Sequence, residues 1–285
     1  MGYFDSTISG GDRSMSEAPP DSLASLKRHL LTAGIAGVIA GLVVGGLGGR
    51  LFMRIAGATA PDFAQGATTE AGNRVGEITV GGTLSVVLFF GVLTGVVGAV
   101  LYVLLRPWLH WAGSLRGFVF GVLLFATTSA TSDVLNPDNP DFLILQNELL
   151  NVSMIVALFL GYGVMIDGMF GVVARRLPER ESRERLPRFL SADLSLGDLV
   201  SAAVVVAVLV VVQFTRLGCE CDPPIIASAF VAIAGAGTVL WWLVGIRSRT
   251  GRASSIAQIM GFGGLAGAFL FGLVRAISDA TEVIP

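Results

Sequence analysis

LLTAGIAGVIAGLVVGGLGG, residues 30–49, decides what kind of protein this is. The stretch is twenty residues long, carries no charge, and is bounded by Arg28 and His29 on one side and Arg50 on the other. As an α-helix it would be ~30 Å long, the thickness of a bilayer's hydrocarbon core. Its glycines at 37, 41, 45 and 49 recur every four residues and so fall along one helix face. A soluble domain could bury one such helix, but the rest of the chain contains more of them.

Working outward, apolar stretches lie at 30–56, 83–105, 118–135, 143–174, 199–216, 225–246 and 256–276. Helices of this kind are apolar on every side, so length and flanking residues define them better than periodicity does. Composition agrees: 53% of the 285 residues are hydrophobic and 14% are charged, against about 25% charged in an average soluble domain. Mean hydropathy is +0.74. The expected fold class is all-α, a polytopic transmembrane helix bundle of about seven spans. Residues 1–28, polar and rich in Gly, Ser and Pro, cannot bury enough apolar surface to fold alone. They are expected to form a disordered cytoplasmic tail, with 29–285 as a single transmembrane helical domain.

Orientation follows from the basic residues, all arginine except Lys27. With the N-terminus in the cytoplasm, fourteen fall inside: Arg13, Lys27, Arg28, Arg106, Arg116, Arg175, Arg176, Arg180, Arg183, Arg185, Arg188, Arg247, Arg249 and Arg252. Five fall outside, Arg50, Arg54, Arg74, Arg216 and Arg275. The positive-inside rule therefore sets the N-terminus in and, after seven spans, the C-terminus out. Residues 59–82 are then an outer connection, whose Gly, Thr and Asn content suits turns or a short hairpin over the outer mouth.

Small residues form two further stripes, Gly91, Gly95 and Ala99 in the second span and Gly264, Ala268 and Gly272 in the last. They let helix backbones approach closely inside a tight bundle, or line a wall along which a solute slides. Ionisable groups in or near the bilayer are the candidate functional residues. Arg50, Arg54, Asp133, Glu148 and Arg275 are expected in one outer layer, locking the bundle by ion pairs or holding a solute. Arg50 and Arg54, one turn apart, are snorkelling anchors or a paired anion site; Arg275 has Asp279 four residues on as a partner. Asp167 stands apart: it precedes Arg175 by eight residues, ~12 Å of helix, and so lies nearer the midplane than any other charge. It is a proton or cation relay, or a neutral acid bonded to a neighbouring helix, since desolvation favours the protonated form unless a cation pairs with it.

Cys219 and Cys221, in TRLGCECDPPII (215–226), occupy the outer turn between the fifth and sixth expected spans. They form an oxidised or intersubunit staple, remain free thiols, or serve a metal or redox function. Two thiolates with Glu220 and Asp222 make an incomplete soft-metal site, and His29 and His110 lie across the bilayer from it.

Several activities lack their residues. A retinal protein needs a lysine within the bundle, and Lys27 precedes the first span. No P-loop, G-x-S-x-G or H-E-x-x-H pattern occurs, so no enzyme is indicated and no cofactor is expected. A net charge of −2 gives no case for nucleic acid. The expected partners are the lipid bilayer and a second copy or other membrane proteins.

NRVGEITVGGTLSVVLFFG (73–91) and NPDNPDFLILQNELLNVSMIVALFLGYG (136–163) resemble polytopic membrane proteins of unassigned function from GC-rich bacteria. The resemblance implies a multi-pass protein of the bacterial plasma membrane and brings no activity with it. The leading functional expectation is a transporter- or channel-like protein for a small solute or ion. The alternatives are a non-catalytic structural or accessory subunit and a membrane redox or metal protein using the Cys219/Cys221 turn.

Overall fold

The computed structural model describes residues 23–68, 74–75, 79–131, 134–135, 144–177, 233–238 and 252–284. The tail up to residue 22, Asp133, the expected fifth span, most of the sixth, and the Cys219/Cys221 turn lie outside the described residues. Regular structure among the described residues is helical, and extended pairing is limited to one antiparallel bridge, Thr68 with Arg74. With Gly66 N–H donating to Val75 O at 3.1 Å and Val75 N–H to Ala67 O at 2.9 Å, it makes a small antiparallel pairing within the 59–82 connection.

Four stretches are long and apolar enough to cross a membrane: Arg28–Thr59, Val80–Ala130, Glu148–Arg176 and Ile259–Val283. The first belongs to helix α1, which runs through Leu23–Ala40, a π-helical stretch Gly41–Gly48, and Gly49–Thr59. Helix α2 likewise joins Val80–Val86, a π-helical Val87–Leu93 and Thr94–Leu105. A 3₁₀ segment, Arg106–Leu115, leads into α3, Arg116–Thr131. Helix α4 is Glu148–Arg176 and α5 is Arg252–Val283.

The second stretch, 51 residues, would be about 75 Å as one rod, more than twice the hydrocarbon thickness. It is broken where Pro107 opens the 3₁₀ segment and Gly113 takes φ 52°, ψ −120°. Only glycine adopts that conformation without strain. Contacts with α4 show the reversal. Tyr162 meets Gly98 and Asp167 meets Tyr102, so α2 runs parallel to α4. Gly117 meets Val164 and Gly121 meets Leu160, so α3 runs antiparallel to it.

The remaining directions follow in the same way. Gly37 faces Ala99 and Gly41 faces Gly91, which makes α1 and α2 antiparallel. Gly261 lies against Trp108 and Gly272 against Ala126, so α5 runs parallel to α3. The short helix at 233–238 is antiparallel to α5, with Gly237 on Gly261 and Ala234 on Gly264.

Glycine determines how closely these helices meet. A Cβ on Gly41 would stand 2.7 Å from Gly95 Cα, and one on Gly121 would stand 2.8 Å from Leu160 Cα. Without a hydrophobic force between helices in lipid, such close backbone packing is the main attraction. The stripes at 37/41, 91/95/99 and 264/268/272 are therefore turned inward. Gly117, Gly121 and Gly163 form a further seam between α3 and α4. The two π-helical stretches of α1 and α2 face one another across the first seam.

Several helix bounds differ from expectation: α1 begins at Leu23, within the expected disordered tail, and two other shifts have local reasons. The fourth helix begins at Glu148 instead of 143 because Gln146, at φ 54°, breaks the helical path. The last continues past 276 to Val283, where Arg275 and Asp279, 3.7 Å apart at i,i+4, support the extra turn.

Candidate functional site

Asp167, which the sequence sets nearest the midplane, is bonded to two other helices. Asp167 Oδ1 accepts from Arg116 Nε at 2.9 Å and from the Tyr102 hydroxyl. Each partner comes from a different helix: Tyr102 from the end of α2, Arg116 from the start of α3, Asp167 from the last third of α4. The hairpin around Gly113 makes this possible, because it returns Arg116 to the level of Tyr102. Gly117 completes the approach: a Cβ there would stand 2.8 Å from Asp167 Cβ.

Tyr102 is fully buried, while the Arg116 and Asp167 side chains are 21% and 18% exposed. An aromatic wall encloses them. Tyr102 meets Phe120 edge-on at 5.1 Å and Phe170 at 5.6 Å between ring centroids. Arg106 lies over the Phe170 ring, 4.5 Å from its centroid, and His29 of α1 approaches the same ring at 6.1 Å. Arg28 Nη2 donates to the carbonyls of Ala174 and Leu177 at 3.3 Å, a cation at the negative end of α4. The same end of the bundle carries Arg28, Arg106, Arg175 and Arg176 beside the Arg116–Asp167 pair, and Asp167 is the one carboxylate there among the described residues.

Chemically, this arrangement is a partly buried ion pair with a phenol as a third member. Pairing repays part of the cost of taking a carboxylate out of water, and the ring wall raises the strength of the interaction by excluding solvent. Asp167 is bonded to two neighbouring helices, and because one partner is the Arg116 cation, an ion pair stands where a neutral acid was expected.

The opposite end holds Arg50, Arg54, Glu148 and Arg275, as their depths in the sequence imply. Arg50 Nη2 donates to Thr79 O at 3.3 Å and to the Thr83 hydroxyl, bracing α1 against the start of α2. Thr79 itself caps α2, its hydroxyl accepting from Gly82 N–H at 3.1 Å. Arg54, one turn further along α1, is exposed. Glu148 is half-buried in the first turn of α4, next to Asn147, whose Nδ2 donates to Thr59 O at 2.6 Å. Arg275 pairs along its own helix with Asp279. Asp133, Cys219 and Cys221 lie outside the described residues. Among the described residues no cluster of His, Cys, Asp and Glu is arranged to hold a metal.

Tyr102 and Arg116 were not among the residues singled out from sequence. Arg116 read as one of the inner anchors, and a tyrosine in an apolar helix gives no signal of its partner. The available signal was the four-residue spacing of Gly117 and Gly121, which announces a close helix contact directly after Arg116.

No family model matches the chain, and no curated protein or solved structure is similar to it. Fold and site together define an all-helical chain, among its described residues, with four helices long and apolar enough to cross a membrane and a charged cluster between three of its helices.

Proposed function

We propose that this chain is a seven-span protein of the bacterial plasma membrane, N-terminus inside, that moves or senses a small solute or ion. The observation that carries this reading is Asp167, held by Arg116 and Tyr102 where three helices meet. Ionisable groups inside a spanning bundle are costly and commonly mark ion or solute pathways. A cluster that ties three helices through one carboxylate can also couple a change in charge to a change in packing.

Helix directions support the span count. With α1 to α4 alternating, 233–238 runs in the same direction as α4, as a fifth crossing at 199–216 would require. The inward-turned glycine stripes disfavour the rival reading, an accessory subunit, which would present such faces to another protein.

Purified protein in liposomes tests the proposal. Proton flux is read with an enclosed pH-sensitive dye, and sodium, potassium, chloride and small carboxylates by tracer uptake. The expected result is flux above protein-free liposomes that falls in Asp167→Asn. No flux of any of these species, or flux that Asp167→Asn leaves unchanged, would sink it.

A further inference from the structure

The last turn of α4 carries more positive charge than its surroundings offset. Arg28 of α1 reaches it, its Nη2 donating to Ala174 O and Leu177 O at 3.3 Å, the carbonyls that flank Arg175 and Arg176. Guanidinium groups from two helices thus meet at one turn, and Arg28, Arg175 and Arg176 are all exposed. None of the three pairs with a carboxylate among the described residues. Asp167, the nearest acid along α4, is held by Arg116 and Tyr102.

The carbonyl end of a helix is the pole that repels anions. Arg28 covers two of those carbonyls, which offsets the pole and leaves Arg175 and Arg176 as surplus cations. Arg106 adds to the positive field one turn back, where it lies 4.5 Å from the Phe170 ring centroid. Beneath the arginines α4 has an open face. Val164, Gly168, Gly171 and Arg175 follow at steps of four, three and four residues and so share one side of the helix. Val164 is 54% exposed, and a Cβ on Gly168 or Gly171 would meet nothing within 4 Å. At the same end, the 106–115 segment leaves Trp111 67% exposed, and tryptophan concentrates at the headgroup level of a bilayer.

We propose that Arg28, Arg175 and Arg176 bind the phosphate of an anionic phospholipid, whose acyl chains lie along the face formed by Val164, Gly168 and Gly171. Guanidinium groups grip phosphate oxygens through paired N–H donors. Basic pockets between spanning helices bind acidic headgroups in the same way. A soluble anion would use the arginines alone, whereas a lipid uses the arginines and the apolar face beneath them. Lipid recognition here rests on the part of the functional reading that sets the chain in a bilayer. It does not depend on transport, so binding and flux can each fail alone.

Full-length protein in an uncharged detergent at low ionic strength is titrated with phosphatidylglycerol, phosphatidylcholine or inorganic phosphate while Tm is read. Only phosphatidylglycerol is expected to raise Tm, as a ligand of the folded state does. Arg175→Gln/Arg176→Gln should keep the lipid-free Tm, because both side chains are exposed. It should need about tenfold more phosphatidylglycerol for the same shift. Arg183→Gln/Arg185→Gln removes the same charge further along the chain and should leave the titration unchanged. No shift with phosphatidylglycerol overturns the proposal. So does an equal shift with phosphatidylcholine, which means an unselective apolar contact, or with inorganic phosphate, which means a free-anion site. Equal losses in the two double variants, or no loss in Arg175→Gln/Arg176→Gln, also overturn it, since the attraction would then be diffuse. The comparison of lipids needs no variant, so it decides the matter even where a variant folds poorly.

Discussion

At the residue scale, the Asp167 cluster should behave as a unit. Breaking a fully buried ion pair costs about 3–5 kcal/mol. Here the Arg116 and Asp167 side chains are about one-fifth exposed, so solvent screening lowers the expected cost of Asp167→Asn to about 2 kcal/mol. Tyr102→Phe keeps the ring packing on Phe120 and Phe170 and removes only a hydrogen bond to a charged group, about 1–2 kcal/mol. If both act through the same carboxylate, the double variant loses less than the sum of the single losses. Thermal unfolding in detergent of the three variants checks this, and strictly additive losses would show that the hydroxyl and the carboxylate do not depend on each other. The level of Asp167 along its own helix, eight residues before Arg175, was legible in the sequence because helix rise converts residue number into distance. Its partners were not, because a level along the membrane normal does not say which neighbouring helix faces the acid.

At the element scale, the glycine seams separate positions that must stay small from positions that need not. Gly41 and Gly34 are both in α1, yet they differ in surroundings: a Cβ on Gly41 would stand 2.7 Å from Gly95 Cα, while one on Gly34 meets nothing within 4 Å. Gly41→Val should therefore force α1 and α2 apart and cost about 1–3 kcal/mol or more, as overpacking does. Gly34→Ala should be neutral or gain up to about 1 kcal/mol from better helix propensity. Comparing their Tm values in the same detergent tests the inward assignment of the stripe, and equal tolerance at both sites would contradict it. The stripes on the first, second and last spans were visible from spacing alone. Gly117 and Gly121 follow the same rule but sit among Phe118 and Phe120, and their partner Gly163 lies far along the chain. The facing π-helical stretches leave no pattern in side-chain type, since they are a change in backbone hydrogen-bond register. Such stretches are frequent at functional sites, and here they flank the closest approach of α1 and α2.

At the scale of the whole molecule, charge and helix direction make one joint prediction. The basic residues divide fourteen to five between the two expected faces. The described helices independently bring Arg28, Arg106, Arg116, Arg175 and Arg176 to one end and Arg50, Arg54 and Arg275 to the other. These are separate lines of argument, because the first uses sequence position and the second uses packing contacts. The positive-inside bias then makes the Asp167 end cytoplasmic and the Asn151 end external. Since α5 runs parallel to α3 and to the outward direction of α1, its end at Val283 belongs on the external face. A fluorescent protein that folds only in the cytoplasm should therefore be bright when fused after Arg176 and dark when fused at Pro285. A phosphatase active only outside should give the opposite pattern, and both should report the N-terminus as cytoplasmic. If the two termini reported the same side, the number of crossings would be even, and the seven-span arrangement could not stand. If Arg176 and Pro285 both reversed while remaining opposite, the span count would survive but the Asp167 cluster would face outward. That result would move the charged station to the side from which an external solute arrives.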